Sequence, residues 1–425
     1  MTEINDKSSN KLSKRYFIYL IFVLMLVQIL DSYATVFPSA IPSAIAGEFL
    51  SGKAVDVQNS IMALASGIVS IGMYFLFFSQ YLSDRIGRKK MLAITVLGMG
   101  LASLGMFISI NFVMYMVFVF FISFFFSSDV WLIYINEEAK PNKRALLSNL
   151  ILMVGLLGPI IMVISRFIFI SETNPFWRGM TFFPMIIGIP LCFIIYFTLK
   201  ETSRYRIMKE KGPVLSRSFK NDIISIFKTD NRKPYAFLLM IVFLRGISGI
   251  YLGLFEKYMS DVGTLTQDQV TIIFFLVIFA VIIAYAINGF LADRIGRKPL
   301  LYLWSFIAPI SVLIWVFGAH SVNNAFYIVL LGYSLTHIST WGAIGIIRLL
   351  TIEMLPTDRR GTGVGFRSLI GSIGGTAGLL VSGVIILFVG LGTTFIIFVM
   401  GHFIVIPIAY FFLKETKGVE LSEIK

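Results

Sequence analysis

Residues 84–89 read Asp-Arg-Ile-Gly-Arg-Lys, and the same six residues return at 293–298. Two more strings are repeated at a similar distance, namely Glu-x-x-Pro-x-x-Arg at 138–144 and 353–359, and Leu-Lys-Glu-Thr at 199–202 and 413–416. Each string lies in a hydrophilic gap between long apolar runs. The chain therefore consists of two copies of a bundle of membrane helices. Two facing bundles suit a pathway that opens alternately to each side of a membrane.

The composition places the whole chain in a bilayer. Of its 425 residues, 57% are hydrophobic and only 14% are charged, and the mean hydropathy is +0.85, values that exclude a soluble globular protein of this length. Apolar runs of about 20 residues predict membrane spans, at 16–46, 59–83, 91–110, 112–136, 143–170, 177–199, 234–259, 267–292, 299–317, 324–352, 360–389 and 393–413. We therefore expect an all-α membrane protein with twelve transmembrane helices in two pseudo-symmetric six-helix bundles.

The hydrophilic centre divides the chain into three parts. Residues 1–199 form the predicted N-terminal six-helix bundle, and residues 234–425 form the C-terminal six-helix bundle with a cytoplasmic tail. Residues 200–233 are the cytoplasmic linker. Four of its apolar residues recur at helical spacing, which predicts a short amphipathic helix on the membrane surface, although a flexible tether is the alternative; they are Phe219, Ile223, Ile226 and Phe227.

The distribution of positive charge predicts the orientation. The net charge is +13, and only Lys53, Arg178 and Lys257 are basic in the odd-numbered gaps between spans or at the span ends that border them. Lys and Arg are retained in cytoplasmic loops, so we expect both termini in the cytoplasm and the protein in the plasma membrane. The basic loops then contact anionic lipid headgroups, and a nucleic-acid partner is not expected.

Motifs of enzymes are absent from the sequence. There is no phosphate-binding loop and no metal-binding cluster, and the three histidines, His320, His337 and His402, are far apart. An acid, a base and a nucleophile that could converge on one site are not found either. The sequence therefore predicts no enzyme activity, no cofactor and no metal, and any work would be driven by an ion or solute gradient.

The repeated strings carry a resemblance to a known family. Asp-Arg-x-Gly-Arg-Lys after the second and eighth helices, with Gly289 before the second copy, resembles the cytoplasmic signature of the major facilitator superfamily. The Glu-x-x-Pro-x-x-Arg strings, and Lys-Glu-Thr-Lys-Gly at 414–418, are similar to strings of the sugar porters and metabolite:proton symporters. One departure is Gln80, where the family has glycine. The resemblance implies rocking of two halves about a site at the middle of the membrane.

The charged strings predict a gate at the cytoplasmic end. Acids at helix ends are expected to pair with arginines beside the other half when this end is shut. Exposed pairs contribute only about 0 to 1 kcal/mol each, but a symmetric set could bias two states by a few kcal/mol. The alternative is that these residues only fix the topology. The gate residues are Asp84, Arg85, Gly87, Arg88, Glu138, Arg144, Asp293, Arg294, Gly296, Arg297, Glu353, Arg359 and Arg360.

Two acids inside spans are candidates for proton coupling. Asp31 lies in Leu-Asp-Ser-Tyr-Ala-Thr at 30–35, which is similar to the Asp-Gly-Tyr-Asp-Thr string of aromatic-acid and related proton symporters, with Ala34 in place of the second acid. Burial disfavours the charge of such a carboxylate and a nearby cation favours it, so it can take up and release a proton as a cavity opens and closes. Asp129 is the reserve candidate. The alternative is a structural pair with an arginine.

The seventh span predicts the class of substrate. Arg-Gly-Ile-Ser-Gly-Ile-Tyr at 245–251 aligns with Gln-Gln-Leu-Ser-Gly-Ile-Asn of the sugar porters, and Leu152 takes the place of a further glutamine of that family. The amides that suit sugar hydroxyls are thus replaced. A guanidinium at mid-membrane suits a carboxylate, so Arg245 predicts a small organic anion. Its alternative is a pair with Asp31 or Asp129.

Four more side chains are candidates for the same substrate cavity, although packing is the alternative for the aromatic ones; they are Tyr251, His337, Trp341 and Arg367. Arg166 and Arg348 lie near span ends, where pairing with a helix-end acid or reaching the interface is expected. The sequence thus favours a monomeric secondary transporter that carries a small organic anion with protons. The alternatives are a sugar porter, an uncoupled facilitator, or a receptor that binds solute without moving it.

Overall fold

The computed structural model describes residues 13–75, 82–83, 85–126, 130–140, 143–172, 175–210, 219–356 and 360–418. Three of the predicted site residues, Asp84, Asp129 and Arg359, lie outside these ranges.

The first half contains six spans. Their helices are Lys14–Val36 with Phe37–Ala40 (span 1), Val55–Ser70 with Ile71–Tyr74 (span 2), Arg88–Phe107 (span 3), Phe112–Phe124 with Val130–Glu138 (span 4), Arg144–Gly155 with Leu157–Phe169 (span 5), and Trp177–Thr181 with Phe182–Thr198 (span 6). A short helix, Pro42–Phe49, follows span 1. Span 1 was predicted to continue to residue 46, but Pro38 and Pro42 divide it because proline cannot extend a regular helix.

The second half repeats the pattern. Its helices are Arg232–Ile247 with Ile250–Gly253 (span 7), Phe255–Val262 (hereafter the outer helix), Gln267–Ile295 (span 8), Arg297–Gly318 (span 9), Ala325–Met354 (span 10), and Arg360–Phe412, which holds spans 11 and 12. Gly390, with φ 75°, separates those last two spans. Ten described helices are long and apolar enough to cross a membrane; the division at Gly390 and the two helices of span 4 bring the number of spans to twelve. The predicted all-α fold of two six-span halves is confirmed.

The two ends of the bundle differ in charge. Spans 3, 5, 7, 9 and 11 each begin at an arginine, and this face is called the basic end below. The opposite end carries the Pro42–Phe49 helix, the outer helix and the start of span 8. These names describe the molecule only and assign neither end to a side of the membrane.

Buried apolar side chains form two clusters. The larger fills the first half and continues into the opposite end of the second half, where it includes Phe255, Trp315 and Phe395. The smaller occupies the basic end of the second half and includes Leu238 and Leu350. The halves thus share a core at the opposite end, whereas at the basic end the second half has a core of its own.

The linker contains two short helices, Ser203–Glu210 and Phe219–Ile226. The first helix is attached to the first half, since the Tyr205 hydroxyl donates to the carbonyl oxygen of Arg85 at 2.9 Å.

The second linker helix, Phe219–Ile226, lies in the segment for which a helix on the membrane surface was predicted. Ile226 is fully buried, and the Phe227 ring contacts the rings of Tyr235 and Phe366 at centroid distances of 6.1 and 6.0 Å. These side chains were expected to lie on the membrane surface. They pack against the second half instead, because spans 7 and 11 offer an apolar surface there.

Candidate functional site

Span 7 is broken where its distinctive sequence lies. The helix Arg232–Ile247 ends, a single turn Ile250–Gly253 follows, and the outer helix starts at Phe255. Gly246 and Gly249 fall at this break, and glycine weakens a helix because it has the most conformational freedom to lose. Non-helical backbone at membrane depth is tolerated where it is buried in protein or lines a cavity, so the break marks a candidate binding site.

Glycines of span 11 hold the broken segment closely. A Cβ atom added at Gly374 would lie 2.3 Å from the carbonyl oxygen of Phe243, and one at Gly378 would lie 2.2 Å from that of Ile247. A side chain at either position would clash with span 7, so only glycine allows the backbones of spans 7 and 11 to lie this close together. Gly374 and Gly378 of span 11 therefore pack against span 7.

Arg245 lies at the break with an unused donor. Its Nη1 atom is buried and has no hydrogen-bond partner among the described residues, and the ion pairs formed between described residues do not include it. The alternative was a pair with Asp31 or Asp129; the ion pairs of the described residues hold no pair of Arg245 with Asp31, and Asp129 lies outside the described residues. A buried guanidinium nitrogen without a partner is costly, which is the expected property of a group that awaits an anionic ligand.

Tyr251 and His402 lie within electrostatic range of Arg245. The Tyr251 side chain is 1% exposed, its hydroxyl lies 3.4 Å from the Thr340 hydroxyl, and it is close enough to Arg245 for their charges to interact. His402 of span 12 is also 1% exposed and within electrostatic reach of Arg245. The sequence analysis missed His402, since a lone histidine in an apolar span carries no motif.

Two of the other predicted substrate residues lie on span 10. The His337 ring packs edge-on against Tyr333 at 4.5 Å, and Trp341 lies 6.5 Å from Tyr285. Leu152 of span 5 is 45% exposed. A role for these three at the substrate stays a prediction.

Arg367 lies away from the break. It is close to Tyr235 at the start of span 7, which is the basic end. Its Nη2 donates to the Ser368 hydroxyl at 3.2 Å. A role for Arg367 at the substrate stays a prediction.

Asp31 is buried on span 1. It is 2% exposed, so it faces protein and not lipid. Span 5 covers the same part of span 1, because a Cβ at Gly155 would lie 2.6 Å from the Gln28 side chain and one at Gly158 would lie 2.7 Å from the Ile29 carbonyl oxygen. A carboxylate buried at this depth is a functional candidate by default.

A buried ion pair joins the halves at the opposite end. Arg166 Nη2 of span 5 lies 3.0 Å from Glu256 Oε1 of the outer helix, with side chains 0% and 1% exposed. Glu256 Oε2 also accepts from the backbone N–H of Ser43 at 2.9 Å. Arg166 donates further to the Gln267 side chain at 2.5 Å and to the Ala40 carbonyl oxygen at 2.9 Å. The expectation that Arg166 pairs with a helix-end acid is confirmed.

A second polar contact across the halves lies nearby. Asn59 Nδ2 of span 2 donates to Asp261 Oδ2 of the outer helix at 2.8 Å, and Lys257 pairs with the same carboxylate. The Ser60 hydroxyl donates to the Gly383 carbonyl oxygen of span 11 at 2.6 Å. The outer helix is thus held by the first half at both of its acids.

At the basic end each half forms its own network. In the first, Arg88 Nη2 lies 3.0 Å from Glu137 Oε1 and the Arg88 N–H donates to Glu201 at 3.0 Å. In the second, Arg297 Nη2 lies 2.8 Å from Glu353 Oε1 and the Arg297 N–H donates to Glu415 at 2.9 Å.

Glycine is required beside both networks. Gly87 and Gly296 have φ values of 105° and 101°, which disfavour any side chain. A Cβ at Gly87 would lie 2.3 Å from the Glu201 carboxylate, and one at Gly296 would lie 2.6 Å from that of Glu415.

The networks correct the predicted gate in two respects. First, the counterpart of Glu353 is Glu137 and not Glu138, because the first-half loop is one residue longer before its proline; Glu138 instead accepts from the backbone of Ser203. Likewise Arg360 is the counterpart of Arg144, since each Nε donates to an equivalent carbonyl oxygen, of Leu355 at 3.0 Å and of Ala139 at 3.1 Å.

Second, the described arginine pairs at the basic end join residues within one half, whereas pairs across the halves were expected for a conformation that is shut at this end. Arg88 begins span 3 directly beside the end of span 4, so the nearest acid belongs to its own half. Asp293 likewise pairs with Arg297 of the same half at 2.9 Å. The gating role of this set, with Arg85 and Arg294, stays a prediction.

Comparisons with known proteins agree with this architecture. The family model of the Major Facilitator Superfamily matches residues 20–263 and 237–424. The facilitated trehalose transporter Tret1 of Aedes aegypti is 26% identical over 344 residues, which is 69% of this chain and 40% of that protein. The chain thus spans less than half the length of that relative.

Solved structures share the fold. A D-xylose-proton symporter superposes with a TM-score of 0.77 at 16% identity and covers 96% of this chain and 100% of its own. The inward open xylose transporter XylE from E. coli gives 0.75 at 18% identity, with 96% and 99% covered. At these identities the likeness concerns the fold.

Proposed function

This chain belongs to the Major Facilitator Superfamily and is a transporter rather than an enzyme, and from that premise we propose that it carries a small organic anion together with protons across the plasma membrane. The observation that supports the anion is the buried Nη1 of Arg245, which has no partner among the described residues. A carboxylate accepts two charge-assisted hydrogen bonds from a guanidinium and would neutralise this charge.

The proposed transport cycle is alternating access between residues 1–199 and 234–425, with 200–233 as the linker. Described contacts between the halves at the opposite end, such as Arg166 to Glu256, support a conformation closed there. With the basic end and both termini in the cytoplasm, as the charge distribution favours, this conformation faces inward. The protein is proposed to act as a monomer, with its basic loops against anionic lipid and without a nucleic-acid partner.

Asp31 is the proposed proton-coupling acid, because it is a carboxyl group buried inside the first half. Asp129 remains the reserve. Asp31→Asn is expected to abolish acid-stimulated uptake while exchange of substrate across the membrane continues. Unchanged dependence of uptake on pH would exclude this role.

A sugar is the second candidate substrate. It is favoured by the names of the relatives, a trehalose transporter and a D-xylose-proton symporter, and by Gln28 of span 1, whose buried Oε1 has no partner among the described residues. A sugar hydroxyl can donate to such an amide oxygen. At the Arg245 break, however, a neutral sugar would leave the guanidinium charge uncompensated.

The test is transport by purified protein in liposomes with an imposed pH gradient. The labelled solutes are acetate, succinate, benzoate, xylose, trehalose and choline. Carboxylate accumulation that collapses with the gradient supports the proposal, and Arg245→Gln is expected to abolish it. Sugar equilibration without accumulation supports the facilitator, and binding without flux supports a receptor. Arg178→Gln, which alters an arginine distant from the break, is the matched control and is expected to retain transport.

A further inference from the structure

A cavity of about 330 Å³ lies between the two halves at the opposite end. The first half lines it with the start of span 2, and the second half lines it with the outer helix, the end of span 9 and the start of span 12. Asp56 and His320 of this lining are exposed, so a solute can enter from water. The volume is within the range of small-molecule sites. Because both halves line the cavity, it is complete only while this end is closed.

Asp56 brings a carboxylate to the cavity from the first half. Its Oδ1 atom reaches the junction of spans 11 and 12, because a Cβ added at Gly390 would lie 3.7 Å from it. The ion pairs formed between described residues do not include Asp56. This negative charge therefore faces the second half without a cation from the part of the chain that the structure describes.

Asn59 adds an acceptor beside that carboxylate. Asp56 and Asn59 are three positions apart at the start of span 2, and such residues share one face of a helix. Asn59 is 2% exposed, and its Nδ2 donates to Asp261 at 2.8 Å. Its buried Oδ1 has no hydrogen-bond partner among the described residues. A buried acceptor without a partner is costly, and a donor that enters the cavity would remove this cost.

The charges of the second-half wall are compensated. Lys257 pairs with the Asp261 carboxylate, and the Tyr258 hydroxyl oxygen lies 3.2 Å from His320 Nε2. At a pH where the histidine is neutral, Asp56 thus leaves the lining of the cavity with one net negative charge. The charge that balances it is a single positive one.

We propose that this cavity binds a small organic monocation, namely a primary ammonium group on a short apolar chain. Its N–H groups donate to the Asp56 carboxylate and to Asn59 Oδ1, and such charge-assisted hydrogen bonds are the strong ones. The chain packs against the apolar part of the wall, which consists of Val55, Val262 and Leu391. A metal ion fits less well, because the described residues hold no group of three or more His, Cys, Asp and Glu side chains placed to bind one.

The site is separate from the break in span 7. Arg245 is not among the residues that line the cavity, so the proposal goes beyond anion transport and does not depend on it. The experiment below measures binding of a cation and no transport. Its failure leaves the proposed transport standing, and failure of anion transport leaves this site standing.

The test is calorimetric titration of n-butylammonium into purified full-length protein at pH 8. The protein is held in nanodiscs of phosphatidylcholine, which carries no net charge. One saturable site is expected. Tetramethylammonium has the same charge but no N–H donor, and n-butanol has the chain without the charge, so each should bind about tenfold more weakly or worse. Absence of saturable n-butylammonium binding overturns the proposal, and so does equal affinity for tetramethylammonium or tighter binding of Ca²⁺.

Two variants and a matched control locate the site. Asp56→Asn removes the charge at an exposed position and should weaken n-butylammonium binding by about tenfold or more. Val55→Trp, at a side chain that is 50% exposed, should block the cavity while Asp56 stays in place. Asp268→Asn is the control and should bind like the parent protein, since Asp268 is also an acid in the first turn of a span at this end but does not line the cavity.

The variants can contradict the proposal in two ways. Parent affinity in both Asp56→Asn and Val55→Trp would mean that the cation binds elsewhere. An equal loss of affinity in Asp56→Asn and Asp268→Asn would mean that the negative charge of this end attracts cations in general and that the cavity is not a site. Either result overturns the proposal.

Discussion

The two ends of the molecule use buried ion pairs in opposite ways. At the basic end, Arg297 pairs with Glu353 inside the second half. At the opposite end, Arg166 of the first half pairs with Glu256 of the second. A pair within one half moves with that half and survives when the halves rotate. A pair between the halves must break before its end can open, so only the second kind can bias one conformation against the other.

The apolar core repeats this contrast. One buried cluster extends from the first half into the opposite end of the second, whereas the basic end of the second half forms a separate cluster. Both the charged and the apolar contacts therefore hold the opposite end shut. The outer helix is the element on which they converge, since Glu256 and Asp261 both contact the first half.

The largest expected effect comes from Arg166→Ala. Removal of one partner leaves the Glu256 carboxylate buried without its cation, a change that typically costs about 3 to 5 kcal/mol. That cost falls only on the conformation closed at the opposite end. With spin labels at Lys53 and Val322 in a Cys192→Ser background, the distance between the halves at this end should lengthen in the variant.

The control for that experiment is Arg178→Ala. Arg178 pairs with Glu48 within the first half, with side chains 25% and 38% exposed, so the distance between the labels should not change. If Arg166→Ala also leaves the distance unchanged, the buried pair does not decide which end is open.

A smaller effect is expected from Gly383→Ala, which tests the apolar part of the same contact. An added Cβ would lie 2.5 Å from the Leu64 side chain of span 2, and such overpacking costs about 1 to 3 kcal/mol. The label distance should shift in the same direction as for Arg166→Ala, but by less. Gly375→Ala on the same span meets no atom within 4 Å and should behave like the parent protein. If the label distance is the same in the two variants, the clash of an added Cβ with Leu64 does not affect which end is open.

The sequence was sufficient for the fold because duplication, hydropathy and loop charge are local signals. Twelve spans follow from runs of apolar residues. Which residues meet across the halves is not local. Glu256 lies near the end of the predicted span 234–259, and nothing in its neighbourhood in the sequence indicates that it lies against Arg166.

The site was predictable in part. Arg245 was found because a charge inside a span is costly, whereas His402 was missed because a neutral histidine is not. In the sequence, Glu138 was matched with Glu353 because each of them lies three residues before a proline. In the structure, Glu137 matches Glu353 because each binds the equivalent arginine. The first half has one more residue between this glutamate and the proline, so the two ways of matching give different residues.

This matching can be tested at the basic end. Glu137→Gln removes the charge paired with Arg88, whose side chain is 4% exposed, and should lower the melting temperature of the purified protein by several degrees. Glu353→Gln should do the same, because it is the counterpart. Glu138→Gln is the matched control with a smaller expected loss. None of the three should change the label distance at the opposite end. A larger drop in melting temperature for Glu138→Gln than for Glu137→Gln would support Glu138 as the counterpart of Glu353.

The smallest effect concerns the tail that closes the second-half network. Burial raises the pKa of the Glu415 carboxyl group, but backbone N–H groups of Arg297, Lys298, Lys417 and Thr416 outweigh this and lower its pKa below the ordinary value of 4.5. A carboxyl group with a lowered folded pKa stabilises the fold above about pH 4.5 and loses that contribution as the pH falls through the folded value. A spin label at the exposed Lys414 should therefore become mobile only below pH 4.5. In Glu415→Gln the label should be mobile between pH 4 and 7 and show no further acid transition. An identical acid transition in parent and variant would mean that another carboxyl group holds the tail, and the contrast between the two ends would then rest on the buried pairs alone.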